Sequence, residues 1–129
     1  MTAPVRFGQI VWAEMADANG IRKCRPAVIL TPTDRITPSG PLDVAAITSQ
    51  LPQPLPEDHV LLPWHAQGHP HTGLSRKCAA VCTWLARILP DDIQSVAGIV
   101  PGPLLLDIVS KISHQQQPPT VTESQPPTT

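Results

Sequence analysis

Residues 22–30 of the chain are RKCRPAVIL, a cluster of cations followed by a proline and a run of apolar residues. The run over residues 26–30 predicts a buried strand, because it is short and continuous and ends in TPTDRITPSGP, a proline-rich loop that no regular element could cross. Pro26 would occupy the first strand position, where its missing amide donor matters least. The strand accounts for the apolar half of the stretch, and the cations need a separate explanation.

Segments on both sides of this strand also predict strands. Each is rich in apolar and β-branched residues and is followed by a loop rich in proline or turn-forming residues: 8–15 (GQIVWAEM), 42–49 (LDVAAITS) and 59–64 (HVLLPW). Residues 78–89, CAAVCTWLARIL, are compatible with either a helix or a buried strand on periodicity alone. Such closely spaced short strands favour a small, strongly bent sheet or barrel over parallel βαβ units.

Two helical segments are predicted towards the end of the chain. Residues 90–96 begin with a proline and two aspartates, and acids in a first turn are favoured by the helix dipole, so a short helical turn is expected. Residues 103–113 carry apolar side chains at helical spacing, which predicts an amphipathic helix packed on the sheet. The remainder, 115–129, has too little apolar surface to offset the cost of ordering. We therefore predict one mainly β (α+β) domain over residues 1–114 and a disordered tail over 115–129.

Composition and charge limit the class of protein. A chain of 129 residues has the size of one domain and can bury a core without disulfides or metal. Its net charge of −1 excludes a protein that holds nucleic acid by bulk electrostatics, although it allows a local basic site. Three cysteines and no signal peptide predict a cytoplasmic protein. The longest apolar run, residues 99–109, is interrupted and far shorter than the ~20 residues that span a bilayer, so no membrane segment is expected.

Histidines and cysteines are metal-binding residue types, but their spacing in this chain is unfavourable. In a strand, Cys78 and Cys82 would lie ~13 Å apart, at about 3.3 Å per residue, which is too far for both sulfurs to bind one zinc ion. Only a helix would bring them together. The three nearby histidines (His65, His69 and His71) lie in a Pro/Gly loop without fixed geometry. We therefore predict buried thiols and solvated imidazoles rather than a zinc site. A phosphate-binding glycine loop and a GxSxG elbow are also absent from the sequence.

The basic cluster around the second strand is the strongest candidate site. Four cations lie between residues 20 and 35 against a single acid, Asp34, and such a local excess suits a phosphate: Arg22, Lys23, Arg25 and Arg35. Arg25 is the most informative member, since the following proline disfavours the α region and keeps it extended at the start of the strand. An arginine that merely caps the edge of a barrel explains these residues equally well.

Several short motifs in a fixed order resemble the PemK/MazF family of toxin endoribonucleases. They are GQIVW (8–12), RPAVIL (25–30), AITSQ (46–50) and TGL (72–74), followed by a hydrophobic strand and a terminal amphipathic helix. The resemblance covers about residues 7–113. It implies a compact, SH3-like bent sheet or barrel with a few helices, and it implies that residues 78–89 form a strand.

The resemblance also implies an activity. Members of this family cut single-stranded mRNA at short sequences without a metal or cofactor, using the 2′-hydroxyl as nucleophile and leaving a 2′,3′-cyclic phosphate and a 5′-hydroxyl. The arginine of the RP motif and the threonine that ends the next core strand form the catalytic pair, which places the roles on Arg25 and Thr48. A homodimeric toxin that is silenced by a cognate antitoxin protein is expected.

Other residues are weaker candidates. His59 is a candidate general base, because an arginine stays protonated far above neutral pH, but a surface histidine without a role explains it as well. Four polar residues would flank the catalytic pair and bind phosphates or base edges of single-stranded RNA: Arg22, Lys23, Ser49 and Gln50.

The chain departs from the family at residues 83 and 84. Many members carry an acidic residue and a glutamine there that shape the RNA groove, whereas this chain has Thr83 and Trp84. Trp84 is a candidate stacking platform for a base, and a core or dimer-interface tryptophan is the alternative. Two other functions stay open: a non-catalytic binding module or gyrase poison on the same fold, and a degenerate member that no longer holds RNA.

Overall fold

Six strands and one helix make up most of the described chain. The structure is a computed structural model, and it describes residues 5–17 and 19–116. The strands are β1 (Gln9–Ala16), β2 (Arg22–Ile29), β3 (Leu42–Thr48), β4 (His59–Leu62), β5 (Cys78–Ile88) and β6 (Ile93–Ile99), and the helix is α1 (Gly102–Gln116). Two short 3-10 turns, Thr33–Arg35 and Pro90–Asp92, lie in the connections. The predicted tail, apart from the two residues that end α1, lies outside the described residues.

The strands form a single antiparallel sheet in the order β4-β5-β3-β2-β1-β6. This confirms the predicted mainly β fold with a C-terminal helix. Periodicity alone allowed either a helix or a strand over residues 78–89. Residues 78–88 are a strand, as the family resemblance implied. No helix among the described residues is both long and apolar enough to span a bilayer.

The predicted elements differ from the observed ones at two places. β2 begins at Arg22, four residues before the predicted start, because its first half pairs with the second half of β1. The helical turn predicted for residues 90–96 was wrong beyond Asp92, since residues 93–99 form the edge strand β6. β6 lacks the alternating burial of an ordinary strand and pairs only with β1, through a register that shifts twice. Because β6 is a strand through its pairing with β1, its own sequence does not show the alternation that would predict a strand.

Both faces of the sheet are buried, because successive strand residues point to opposite sides. One face packs against α1, whose Ile108 is fully buried against core residues that include Ile10 and Val28. The other face forms a second apolar cluster that includes Val11 and Ile29 and consists mainly of strand residues. A sheet that covers one of its own faces must be strongly bent, as the sequence predicted.

The sharpest irregularity lies in the middle of β5. Its pairing with β3 jumps from Ala45↔Leu85 to Ile47↔Ala80, so residues 81–84 stand opposite the single residue Ala46. The first residues of β5 also pair with β4. Extra residues on one strand of a pair bend that strand and redirect its side chains. This bend brings residues 83 and 84 to the open end of the sheet near the end of β3.

Candidate active site

An open cleft of about 1170 Å³ lies where β3 ends. Its walls come from four parts of the chain: the β1–β2 hairpin, the residues that follow β3, the segment before β5 and the bend of β5. The polar and aromatic lining residues are Trp12, Asp17, Asn19, Lys23, Arg25, Thr48, Ser49, Gln50, Ser75, Arg76, Thr83 and Trp84. A cleft lined by cations, hydroxyls and two indoles has the groups that contact phosphates and stack on bases.

Arg25 is the most constrained cation of the cleft. Its side chain is only 18% exposed, and its Nη2 lies 3.4 Å from Asp17 Oδ2. Its Cζ lies 5.2 Å from the centroid of the Trp84 ring, within the range of a cation–π contact. The extended backbone that Pro26 favours is present, since Arg25 lies within β2. The guanidinium is therefore oriented by a carboxylate and an indole before any ligand binds.

Asp17 is itself held by the β1–β2 loop. Its Oδ1 accepts hydrogen bonds from the backbone N–H groups of Ile21 (3.0 Å) and Asn19 (2.9 Å). These bonds, that of Ile21 above all, together with the positive charge of Arg25 keep the pKa of Asp17 below its usual value. The carboxylate is thus ionised at neutral pH and fixed in place beside the guanidinium.

One donor of Arg25 is left over. Its Nε is buried and has no hydrogen-bond partner among the described residues. Buried donors in folded proteins are nearly always paired, so an orphaned one needs an explanation. The side chain of Arg25 lines the open cleft, and its guanidinium fits an anionic ligand such as a phosphate, to which guanidinium groups bind with paired hydrogen bonds.

Thr48 ends β3, the strand next to β2. The pairing of β2 with β3 stops at Ala27 and Ala46, and Arg25 and Thr48 each lie two residues beyond that pair, where both line the cleft. The hydroxyl of Thr48 accepts the N–H of Gln50 at 3.1 Å, which leaves its own proton free to be donated. The two residues thus present a guanidinium and a hydroxyl to the same part of the cleft.

Solved structures similar to this one include MazF proteins and endoribonucleases. A MazE–MazF structure from Deinococcus radiodurans has a TM-score of 0.66 at 18% identity and covers 95% of this chain and 100% of that one. The Mycobacterium tuberculosis toxin MazF-mt6 has a TM-score of 0.61 at 20% identity, covering 82% of this chain and 93% of that one. An endoribonuclease in complex with its cognate antitoxin, from a mycobacterial species, has a TM-score of 0.57 at 17% identity and covers 91% of this chain and 100% of that one. The chain has the MazF fold.

The similarity to MazF is one of structure. No family sequence model matches the chain, and no curated protein matches it in sequence. The MazF fold confirms the predicted SH3-like, mainly β class and agrees with the resemblance seen in the short motifs. The roles of individual residues stay predictions.

The structure brings most of the predicted site residues together in this cleft. Arg25, Thr48, Lys23, Ser49, Gln50 and Trp84 all line it. Arg22 is not among the lining residues, and its guanidinium contacts Glu14 and Asp92, each at 3.4 Å. Its predicted place beside the catalytic pair is not carried into the proposal.

His59 also lies away from the cleft lining. It is on β4, with its ring only 12% exposed and its Nδ1 2.8 Å from Asp58 Oδ1. The hydroxyl of Thr83 donates to the other oxygen of Asp58. Hydrogen bonds from Thr83 and His59 keep the pKa of Asp58 below its usual value. His59 is thus committed to a structural carboxylate and is not carried into the proposed mechanism.

The cysteines are unlike the ligands of a metal site. Cys78 and Cys82 are buried in the strand β5, and burial raises the pKa of Cys82 to about 11 and also raises that of Cys78. Within residues 5–17 and 19–116, no three His, Cys, Asp or Glu side chains are grouped so that they could hold a metal ion. The thiols are buried, as the sequence predicted, and metal independence of the activity stays a prediction.

Five of the polar and aromatic lining residues were missed by the sequence analysis: Trp12, Asp17, Asn19, Ser75 and Arg76. Asp17 lies in a turn eight residues before Arg25, so it could have been tested as the partner of that arginine across a hairpin. Trp12 and Arg76 reach the cleft through the folding of β1 and of the segment before β5. No local sequence pattern marks either of them as part of the site.

Proposed function

We propose that this protein is a sequence-specific, metal-independent endoribonuclease that cleaves single-stranded mRNA, and that it is the toxin of a type II toxin–antitoxin pair. The observation that carries this proposal is the guanidinium of Arg25, oriented by Asp17 and Trp84 in an open cleft that Thr48 also lines. The MazF fold supports it, since neighbours of that fold are named as a toxin and as endoribonucleases.

The chemistry of RNA cleavage matches these two groups. The 2′-oxygen attacks the adjacent phosphorus, the bond from phosphorus to O5′ breaks, and the products are a 2′,3′-cyclic phosphate and a 5′-hydroxyl. Negative charge grows on the non-bridging oxygens as the attack proceeds. Arg25 donates to these oxygens through the N–H groups of its guanidinium that Asp17 does not engage, and Thr48 adds a hydroxyl donor. Preorganised donors of this kind contribute about 10²–10³ in rate each.

In this proposal, groups other than Arg25 and Thr48 transfer the protons. An arginine side chain is a poor general base, because it stays protonated up to about pH 12. The proton of the 2′-hydroxyl therefore leaves to another acceptor, and O5′ takes up a proton as it departs. Arg25 and Thr48 are assigned to charge stabilisation alone.

The proposed partners follow from the same fold. Two of the structural neighbours are complexes, one of MazE with MazF and one of an endoribonuclease with its cognate antitoxin. We expect this protein to act in the cytoplasm as a homodimer and to be silenced by an antitoxin encoded beside it. Growth arrest on expression, relieved by co-expression of the adjacent gene, checks this part of the proposal.

Purified protein incubated with single-stranded RNA in EDTA tests the activity. We expect cleavage at a short recurring sequence, with 5′-hydroxyl ends that polynucleotide kinase labels without prior phosphatase treatment. Arg25→Ala should lower kcat/KM by at least about 10²-fold and Thr48→Val by a comparable factor, because each removes one donor to the transition state. Arg35→Ala, which removes an exposed cation outside the cleft, is the matched control and should cleave normally.

Two results would count against the proposal. RNA that stays intact with the wild-type protein in EDTA would favour the non-catalytic binding module or the gyrase poison. Cleavage undiminished in Arg25→Ala would show that the oriented guanidinium is not the charge-stabilising group.

A further inference from the structure

Arg76 is an exposed cation on the side of the cleft opposite β2. It belongs to the segment just before β5 and is one of the lining residues. Within the part of the chain that the structure describes, Arg76 makes no ion pair, whereas Arg25 is paired with Asp17. An unpaired guanidinium at the wall of a cleft is available to a ligand.

The strand order separates the two arginines. β3 lies between β2 and β5, so the end of β3 and the residues after it, Thr48 to Gln50, stand between Arg25 and Arg76. Two strand spacings set the backbones roughly 10 Å apart across the sheet. A strand of RNA whose reacting phosphate lies at Arg25 and Thr48 can reach Arg76 only by crossing the end of β3.

We infer that Arg76 binds a phosphate flanking the scissile one, so that the RNA crosses the end of β3 from the side of Lys23 and Arg25 to the side of Arg76. This inference rests on the proposed function and adds a binding position to it. An exposed arginine without a fixed partner contacts the backbone rather than a base edge, so its contribution is to affinity for RNA and not to the choice of sequence or to the chemical step.

Binding at several salt concentrations tests the inference. The probe is a short single-stranded RNA centred on a mapped cleavage site, with 2′-deoxyribose at the attacking nucleotide so that it cannot be cut. Arg76→Ala should weaken binding several-fold at low salt and reduce the slope of log K against log salt by about 0.7, the value for one phosphate contact on a single strand. The kcat on the cleavable RNA should stay within about twofold of wild type, because the scissile phosphate keeps both of its donors.

Lys77→Ala is the matched control. It removes the same charge one residue away, at an exposed position that does not line the cleft. Both variants should melt with the wild-type protein. An Arg76→Ala protein that binds and responds to salt like Lys77→Ala would overturn the inference, as would a large fall in kcat with unchanged affinity.

The same experiments distinguish a failure of this inference from a failure of the proposed function. Wild-type cleavage together with an ineffective Arg76→Ala change would reject the flanking contact and leave the nuclease intact. A wild-type protein that neither cuts nor binds RNA would reject both.

Discussion

At the scale of the residue, Arg25 shows how a flexible side chain becomes a fixed donor. Asp17 contacts one end of the guanidinium, the indole of Trp84 covers it, and Pro26 favours the extended backbone below it. Each contact is modest alone, but together they place the charge before any ligand binds. A donor that needs no reorganisation during the reaction stabilises the transition state most effectively.

Replacing Asp17 by asparagine tests this orientation. The amide keeps the oxygen that accepts the loop N–H groups but loses the charge that pairs with Arg25. We expect kcat to fall on the order of tenfold, because the guanidinium is less precisely placed. RNA binding should strengthen, since a negative charge is removed from the phosphate site.

Single-turnover cleavage and binding to the deoxy-substituted RNA measure the two effects. Asp34→Asn, which neutralises an exposed acid outside the cleft, is the control. A parallel loss of kcat and of affinity in Asp17→Asn would mean that Asp17 serves the loop only.

At the scale of the element, the bend of β5 positions one wall of the cleft. The bend is tied to the start of β4 at two points, since the N–H of Cys82 donates to the carbonyl of Asp58 and the hydroxyl of Thr83 donates to its side chain. Trp84 follows directly and covers Arg25. A carboxylate outside the cleft thereby supports the residues that line it.

Asp58→Asn should therefore destabilise the fold in a pH-dependent way. The pKa of Asp58 is lowered in the folded protein, so its contribution is present above the unfolded value, 3.8, and is lost as the pH falls through the lower folded value. At pH 7 we expect the free energy of unfolding to fall by about 1.5–3 kcal/mol, the range for hydrogen bonds to a charged group.

Urea unfolding at pH 7 and near pH 3 measures this loss. The difference in unfolding free energy between wild type and variant should narrow at the lower pH. A gap that is the same at both values would contradict the assignment of the stabilisation to the ionised carboxylate.

At the scale of the whole molecule, the segment that leads into β5 docks on the edge strand β6. The N–H of Ile99 donates to the carbonyl of His71 at 2.8 Å. Gly73 and Gly98 allow the two backbones to touch, since a Cβ on Gly98 would lie 2.1 Å from the carbonyl oxygen of His71. This contact joins a loop on the β4–β5 side of the sheet to the opposite edge, so the sheet closes towards a barrel.

Gly98→Ala should break this closure. The added methyl meets backbone atoms that cannot rotate away, and overpacking of this kind costs about 1–3 kcal/mol. Thermal or urea unfolding should show the loss, while Gly102→Ala, whose Cβ would meet nothing within 4 Å, should be neutral within about 0.5 kcal/mol. Equal stability of the two variants would mean that the closure contributes nothing to the fold.

Local sequence patterns were sufficient for four strands and the helix, and the family resemblance added the strand at residues 78–89. Alternating or continuous apolar runs between proline-rich loops are properties of neighbouring residues, and burial of those residues follows directly. The RP dipeptide likewise marked Arg25, because proline restricts the residue before it. With the family resemblance, these patterns predicted the fold class and the two residues on which the proposed chemistry depends.

Tertiary structure alone decided the features that join distant residues. β6 exists because β1 pairs with it, Arg22 contacts Glu14 and Asp92 rather than lining the cleft, and His59 is held by Asp58. Arg76 lines the cleft because β3 ends between β2 and β5, and the segment that carries Arg76 leads into β5. Such features depend on strand register and on which chain segments meet, and neither quantity is encoded within a few residues of the side chain concerned.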